Sequence, residues 1–494
     1  MKLASLLKNL QYEVIKGNEE VDITTLVFDS RKVTNGSVFV CMKGVMSNGH
    51  EFAQKAVSMG AVALVVEDEV LIEEESVTII KVAQTRKALS YMSAAYFDYP
   101  AEKLKTIGIT GTKGKTTTAY MVQSILEKAG YKTGLIGTIE TIIGDVRIPA
   151  NNTTPESYYV QKYFNEMVKA GCQCVVMEVS SQGLMLYRVG GFTFDFGIFT
   201  NLEPDHIGPG EHKDFADYTA CKSLLFQQCK IGILNADDSH LGEILKNHTC
   251  QVETYGISEN ASLRAVNVDL HSHLGSLGVT YDIKGLMDFH VQVDIPGKFS
   301  VYNSLTAIAI CRHFSVPVDK IQEALLSVKV KGRVEPIAIS KRFTLMIDYA
   351  HNAMSLDSVL TTLREYQPKR LVCMFGCGGN RSRDRRFEMG EISSNKADLT
   401  VVTSDNPRNE EPQSIIDDIV VGVKRGSGKY VAIPDRKEAI RYCILNAQDG
   451  DVILLAGKGH EDYQEICGQK YHMDERELIQ DILNEMTKEE KARL

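Results

Sequence analysis

The chain repeatedly sets a short apolar run against a polar or glycine-rich stretch, then follows it with a longer amphipathic one. Near the amino terminus TTLVFDS, SVFVCMKG and AVALVVE read as strands, and HEFAQKAVSMG reads as a helix. The segment YFDYPAEKLK breaks this series with a proline, and a second series opens with a strand over 104–110. It continues through CQCVVMEVSS, FDFGIFTNL and CKIGILNADD, with helical stretches between them. Wholly apolar strands alternating with helices predict a parallel sheet covered on both faces. A further restart follows VKVKGRVEPI, and beyond it come FTLMIDYAH, KRLVCMFGCGG, ADLTVVTSDNPR and DVILLAGKGHE. The pattern predicts an α/β protein of three domains, 1–98, 99–331 and 332–494. A length of 494 residues agrees with that at roughly 100–200 residues per domain. Ligands in such sheets sit beyond the carboxyl ends of the strands, which directs attention to the loops that end these runs.

Composition narrows the function. A formal net charge of −9 disfavours a sequence-independent nucleic-acid binder, which needs a basic surface, so any anionic ligand must be held by local clusters. The 11 cysteines lack the spacing of a zinc site or a disulfide framework, as expected of reduced thiols in the cytoplasm. The opening MKLASLLKNLQYEV does not read as a signal peptide, and no apolar run reaches the ~18 residues of a membrane span.

The most telling stretch is KTIGITGTKGKTTTAYMVQSILEKAG, residues 105–130. A strand, a tight glycine turn and an amphipathic helix follow one another, with Gly130 placed to end the helix. Backbone N–H groups of the turn and the helix N-terminus would converge on an anion. Lys115 would reach phosphate oxygens, and the Thr116 hydroxyl suits Mg²⁺. The usual phosphate-loop pattern G-x-x-x-x-G-K-[ST] requires glycine at 109, where this chain has Ile109; its first glycine is Gly111. The plain alternative is a glycine turn that happens to precede Lys-Thr.

An ordered set of segments decides between these readings. TGTKGKTTT, NNTTPES, MEVSSQGL, FTNLEPDH, ACKSLLF, GKFSVYNSL, KGRVE, DYAHN and DNPR together resemble the Mur ligase family, ATP-dependent amide-forming enzymes of peptidoglycan synthesis. The displaced first glycine is that family's own spacing, and the resemblance runs through nearly the whole chain. It implies an N-terminal domain for a uridine nucleotide, a central ATP-binding domain with a phosphate-loop sheet, and a Rossmann-like C-terminal domain for the incoming amino acid.

Carried over position by position, the resemblance implies nucleotide contacts at Gly111, Thr112, Lys113, Gly114, Lys115, Thr116, Thr117, Asn303, Arg333 and Asp348, with His351 beside them. It implies two Mg²⁺ ions held by Thr116, Glu178, His206 and Lys222, the last carbamylated by CO₂. Without the resemblance, Glu178 is a strand-end acid, His206 a packed or capping histidine and Lys222 a solvated helix lysine. It implies substrate contacts at Ser30, Asn152, Thr153, Thr154, Ser180 and Arg188. In the C-terminal domain it implies amino-acid contacts at Arg381, Asp405, Asn406, Pro407, Arg408, Gly457 and Glu461. Asp-Asn-Pro-Arg resembles the signature of family members that add meso-2,6-diaminopimelate. An arginine fork suits the distal carboxylate that diaminopimelate has and lysine lacks, and facing lysine it would be an unpaired cation.

Several positions depart from the family pattern: Lys113 for Asn, Gln182 for His, Leu186 and Tyr187 before Arg188, the loop IGPGEHKDF at 207–215, Ser300 for Asn, and no proline after Asn352. The expected activity is ATP-dependent ligation of diaminopimelate to UDP-N-acetylmuramoyl-L-alanyl-D-glutamate by a cytoplasmic monomer, with no nucleic acid and no membrane insertion. Alternatives are L-lysine as the added amino acid, a paralogue with another acceptor as in folylpolyglutamate or cyanophycin synthesis, and a nucleotide-binding partner without ligase activity.

Overall fold

In the computed structural model the described residues are 1–44, 47–208, 210–273, 276–491 and 494. The chain divides into two compact units, Met1–Ser262 with Thr306–Pro317, and Leu263–Leu305 with Val318–Leu494.

The first unit holds two sheets. One is five-stranded, in the order Tyr12–Lys16, Thr78–Val82, Ala61–Val66, Ser37–Val40, Thr25–Val27, parallel except at the Tyr12–Lys16 edge. The other runs Gln251–Gly256, Cys229–Asn235, Phe194–Phe199, Lys105–Thr110, Cys174–Glu178, Thr133–Ile136, all parallel, and ends in the antiparallel hairpin Glu140–Ile143 and Val146–Pro149. The apolar runs explain the strands: Ile107, Ile109, Val175, Val176, Met177 and Ile198 are fully buried, as parallel strands covered on both faces require. The strand Lys105–Thr110 comes first in chain order, yet Cys174–Glu178 and Phe194–Phe199 pair on its two sides. That is a topological switch point, where loops diverge and open a crevice.

The helix Lys115–Lys128 begins at Gly114, whose φ is +84°, and stops at Gly130, φ +90°. Gly130 N–H donates to the Glu127 carbonyl and Tyr131 N–H to the Leu126 carbonyl, at 3.0 and 2.9 Å, closing the helix end expected from the sequence.

The second unit contains the antiparallel strands Leu263–His273, Ser276–Gly285 and Phe289–Val293. It also contains a six-stranded sheet in the order Glu335–Ile337, Thr344–Asp348, Asp451–Ala456, Arg370–Phe375, Leu399–Val402, Lys429–Ala432. Only the Glu335–Ile337 edge is antiparallel. A two-stranded hairpin, Tyr463–Ile466 with Gln469–His472, stands apart from it. The α/β class read from the sequence is the class observed. Among the described residues no helix is long and apolar enough to cross a membrane.

Candidate active site

The glycine loop leaves the central strand at Gly111, whose φ is +145° and where a β-carbon would overlap the Thr200 hydroxyl. Glycine is therefore required there by both backbone and space. The loop is bolted to the end of the neighbouring strand. Thr112 N–H donates to the Asn201 carbonyl and Lys113 N–H to Asn201 Oδ1, both at 2.9 Å. Thr200 Oγ1 and Asn201 Nδ2 donate to the Lys113 carbonyl, at 2.7 and 3.0 Å. Lys113 itself turns outward to pair with Glu203 at 2.6 Å, so this departure leaves the cradle's shape alone. Thr116 and Thr117 are buried in the first turn of the helix.

Two lysines meet behind the loop. Lys115 Nζ donates to the carbonyls of Gly111 and Thr112 at 2.8 and 2.9 Å. Lys222, on the helix Phe215–Ser223, donates to the same Gly111 oxygen at 2.8 Å. Lys222 is 1 % exposed, not the solvated surface lysine its helix suggests, and its ammonium lies 4.5 Å from the Tyr218 ring centre. Burial, reinforced by the Lys115 charge, drives its pKa well below that of an ordinary lysine.

Glu178 ends its strand fully buried. Its carboxylate accepts from the Thr116 hydroxyl at 2.8 Å, from Thr138 N–H at 2.8 Å and from the Thr138 hydroxyl at 3.0 Å. A buried carboxylate beside a hydroxyl at a helix N-terminus is a hard oxygen donor set, the kind Mg²⁺ takes when it accompanies phosphate. The glycine cradle and this donor set fit a nucleotide and its metal.

His206 has φ +55° and a half-exposed side chain, with Nδ1 3.3 Å from Glu211. The 206–212 loop closes on itself through His212 N–H to the His206 carbonyl (3.0 Å) and Gly208 N–H to the His212 carbonyl (3.1 Å); Pro209 lies outside the described residues. The loop delivers His212, fully buried, between Ser181 Oγ at 2.8 Å and Asp217 Oδ2 at 3.0 Å. His212 thus ties the segment after Glu178 to the helix that carries Lys222. Its partners lie in or beside motif segments, Ser181 in MEVSSQGL and Asp217 on the helix of Lys222, but the sequence does not show that the fold brings His212 between them. Thr138 and Asn201 are likewise marked only by contacts that the fold creates, with Glu178 and with Lys113.

Of the residues expected at the acceptor, Thr153, Thr154, Ser180 and Arg188 lie together beside Glu178 and Thr138. Thr154 Oγ1 accepts from Ser180 N–H at 2.9 Å and donates to the Glu178 carbonyl at 3.0 Å. Thr153 Oγ1 lies 3.1 Å from Thr138 Oγ1. Arg188 pairs with Glu156 at 3.0 Å and donates to the Thr154 carbonyl at 3.1 Å. Asn152 is exposed, and Ser30 stands in a short turn, Ser30–Lys32, capped by Asp29.

In the second unit, the loops ending three adjacent parallel strands converge. Asp405, Asn406, Pro407 and Arg408 follow Leu399–Val402, Arg381 follows Arg370–Phe375, and Gly457 and Glu461 follow Asp451–Ala456. Arg408, at φ +52°, is stitched to the hairpin: its N–H donates to the Glu465 carbonyl at 3.0 Å and its carbonyl accepts from Cys467 at 2.8 Å. Its guanidinium donates to Glu465 Oε2 at 3.0 Å and to the Gly379 carbonyl at 2.8 Å. Glu461 accepts from Asn406 Nδ2 at 3.0 Å. Arg381 is exposed. A β-carbon on Gly457 would come within 3.0 Å of Asp405 Oδ2.

Elsewhere in this unit Asp348 accepts from Val334 and Ala350 N–H groups, both at 2.8 Å. Burial raises its pKa while Arg333 opposes the rise. The Arg333 guanidinium lies 5.4 Å from the Tyr349 ring centre, and its buried Nε has no hydrogen-bond partner among the described residues. His351 is exposed, with Nδ1 2.8 Å from the Tyr349 carbonyl. Asn303 is buried on the helix Lys298–Arg312.

The fold and the glycine cradle at its switch point define an α/β protein built to hold a polyanion at a helix N-terminus. Family comparison gives the rest. The Mur ligase middle domain matches residues 109–311, the Mur ligase glutamate ligase domain 332–459, and the catalytic domain of the Mur ligase family 22–97. The UDP-N-acetylmuramoyl-L-alanyl-D-glutamate--2,6-diaminopimelate ligase of Clostridium perfringens is 44% identical over 490 residues, 98% of this chain and 99% of that one. The Bacillus licheniformis protein of the same name is 41% identical over 500 residues, again 98% and 99%. A solved structure of a ligase so named superposes with a TM-score of 0.73 at 26% identity, over 98% of this chain and 99% of that one. The chain belongs to the Mur ligase family.

Proposed function

We propose that the chain is an ATP-dependent ligase that joins meso-2,6-diaminopimelate to the D-glutamyl γ-carboxyl of UDP-N-acetylmuramoyl-L-alanyl-D-glutamate, a cytoplasmic step in building peptidoglycan precursors. The observation that carries this reading is identity of 39–44% over nearly the full chain to relatives bearing that ligase's name. ATP supplies the activation: its γ-phosphoryl group passes to the carboxylate, the acyl phosphate accepts the amine, and phosphate leaves. Thr116 and Glu178 would hold one Mg²⁺, and His206 with Lys222 a second; bound there, the ions would supply neutralising charge to the crowded oxygens.

This chain's own residues do the rest. The N–H groups of 111–117 receive phosphate oxygens, and Lys115 turns from two carbonyls to a phosphate that offers it a full counter-charge. Lys222 is assigned a carbamate. An amine held out of water beside another ammonium favours its neutral form, which adds CO₂ with loss of a proton. The product places an anion beside the Lys115 ammonium. Thr154, Ser180 and Arg188, with Ser30, Asn152 and Thr153, are assigned to the UDP-linked acceptor. Asn303, Arg333, Asp348 and His351 are assigned to the nucleotide. Arg408 takes the distal carboxylate of diaminopimelate and Glu461 an ammonium, with Arg381, Asp405, Asn406, Pro407 and Gly457 completing that site. The division at 1–98, 99–331 and 332–494 assigns these substrates to separate parts of a monomer.

The test is phosphate release with mass detection of product, using UDP-N-acetylmuramoyl-L-alanyl-D-glutamate, ATP and Mg²⁺ with meso-diaminopimelate, L-lysine or no amine. Turnover with diaminopimelate alone is expected. Turnover with lysine alone removes Arg408 as the selector, and silence with every amine points to another acceptor.

A further inference from the structure

One residue beneath the amino-acid site has no assigned role. Lys458 lies between Gly457 and Glu461 in the loop GKGHE and is fully buried. Its ammonium donates to Asn406 Oδ1 at 2.6 Å and to the Tyr463 carbonyl at 2.5 Å, and lies 3.3 Å from Glu461 Oε2 and 3.8 Å from Asp405 Oδ1. It therefore touches three of the residues assigned to the incoming amino acid and the start of the hairpin that carries Glu465. Asn406 completes the network by accepting Glu465 N–H at 2.9 Å on the same oxygen that Lys458 holds.

Two consequences follow from general chemistry. The first is positional. With Asn406 Oδ1 fixed by a cation, the amide must present its NH₂ group to Glu461, which is the observed 3.0 Å contact. One carboxylate oxygen of Glu461 is thereby occupied, leaving the other, 3.4 Å from the Tyr349 hydroxyl, for an ammonium. The second is electrostatic. Asp405, Glu461 and Glu465 are three carboxylates facing two cations, Arg408 and Lys458. The far end of diaminopimelate is a zwitterion and adds no net charge to that set, whereas the far end of lysine adds a cation. Removing Lys458 would make the set more negative and favour the ligand with the extra positive charge.

Resting on the reading of this site as the diaminopimelate site, we infer that Lys458 is a positioning and specificity-determining residue, which fixes Asn406 and Glu461 and keeps the pocket from gaining the further negative charge that would favour a cationic amine over a zwitterionic one.

The experiment is competition ligation by the full chain and by Lys458→Met, with both amines present at equal concentration, product masses counted, and KM determined separately for diaminopimelate and ATP. Wild-type incorporation of diaminopimelate is the control; its absence overturns the function, and with it the reading on which this inference rests. In Lys458→Met the KM for diaminopimelate should rise by about 30-fold or more with that for ATP within about threefold, and the share of lysine product should rise about tenfold. Lys458→Arg, which keeps the charge but not the shape, should raise the KM without raising the lysine share. A parallel rise of both KM values, or an unchanged lysine share in Lys458→Met, overturns the inference. If that variant does not fold, Lys458→Gln is read by the same two criteria.

Discussion

Lys115 and Lys222 donate to one and the same oxygen, the Gly111 carbonyl, each from 2.8 Å. Two ammonium groups on one acceptor repel, and only one of them is replaceable by chemistry that leaves the phosphate loop intact. Lys222→Ala should therefore lower ligation by at least about 100-fold, the scale of losing a charge-stabilising group from a water-excluded site. Short-chain carboxylates that stand in for the carbamate should restore part of it. Full activity of the variant in steady-state assays would remove the carbamate from the mechanism.

Arg408 is held in place by backbone bonds to the hairpin on both sides, so truncating its side chain leaves the loop anchored. Arg408→Ala should raise the KM for diaminopimelate by about 10- to 100-fold, the worth of a charge-assisted hydrogen bond, with little effect on the KM for ATP. Equal effects on both substrates would count against the assignment.

Gly111→Ala tests the cradle. The added methyl meets Thr200 in a backbone conformation that L-residues avoid. Overpacking and strain each cost about 1–3 kcal/mol. A lower melting temperature and loss of ATP-analogue binding by calorimetry are expected; tight binding by the variant would mean that the phosphates sit elsewhere.

His460 supplies a pH dependence. Burial first, then Arg333, Lys331 and Arg476, lower its pKa from 6.5 to about 4. The folded ring is neutral where the unfolded one is charged, so its contribution to stability is complete above about 6.5 and is lost as the pH falls toward 4, at up to about 1.4 kcal/mol per unit. Melting temperatures of the wild type should drop faster than those of His460→Gln across that interval. Parallel curves would show that the ring protonates freely in the fold.

Ten cysteines are buried and Cys467 is exposed. Burial pushes the thiols of Cys41, Cys373 and Cys443 up to about 12. A thiol reagent at pH 8 should label one site quickly, mapped by peptide mass to Cys467, and the others only after denaturation. Rapid labelling of several sites would contradict the packing.

The sequence made legible what repeats locally. Apolar runs located the core strands, glycine marked the loop and the helix end, and Glu178 stood visibly at a strand terminus. It placed Lys222 on a helix but not in the interior, because a short helix gives no sign of which face a neighbouring loop will cover. His212, Thr138 and Lys458 stayed hidden for a related reason. Each acts through partners supplied by the fold, and a buried polar residue is written in the same letter as an exposed one. The hairpin Glu140–Pro149 leaves no mark in the pattern either; its strands are four residues long, too short for alternation to stand out.

The central strand pairs on one side with residues about 70 positions downstream and on the other with residues about 90 downstream; one flanking strand leads into Thr200 and Asn201, which brace the glycine loop, and the other ends in Glu178, which holds Thr116 at the start of the helix. During synthesis the loop therefore emerges long before its supports. Non-local pairing of this kind forms late and slowly. A growing or partly refolded chain would carry the motif yet be unable to grip a nucleotide. Protection of the loop by ATP analogues would then mark the moment at which the middle of the sheet is finished, making ligand capture a checkpoint on folding.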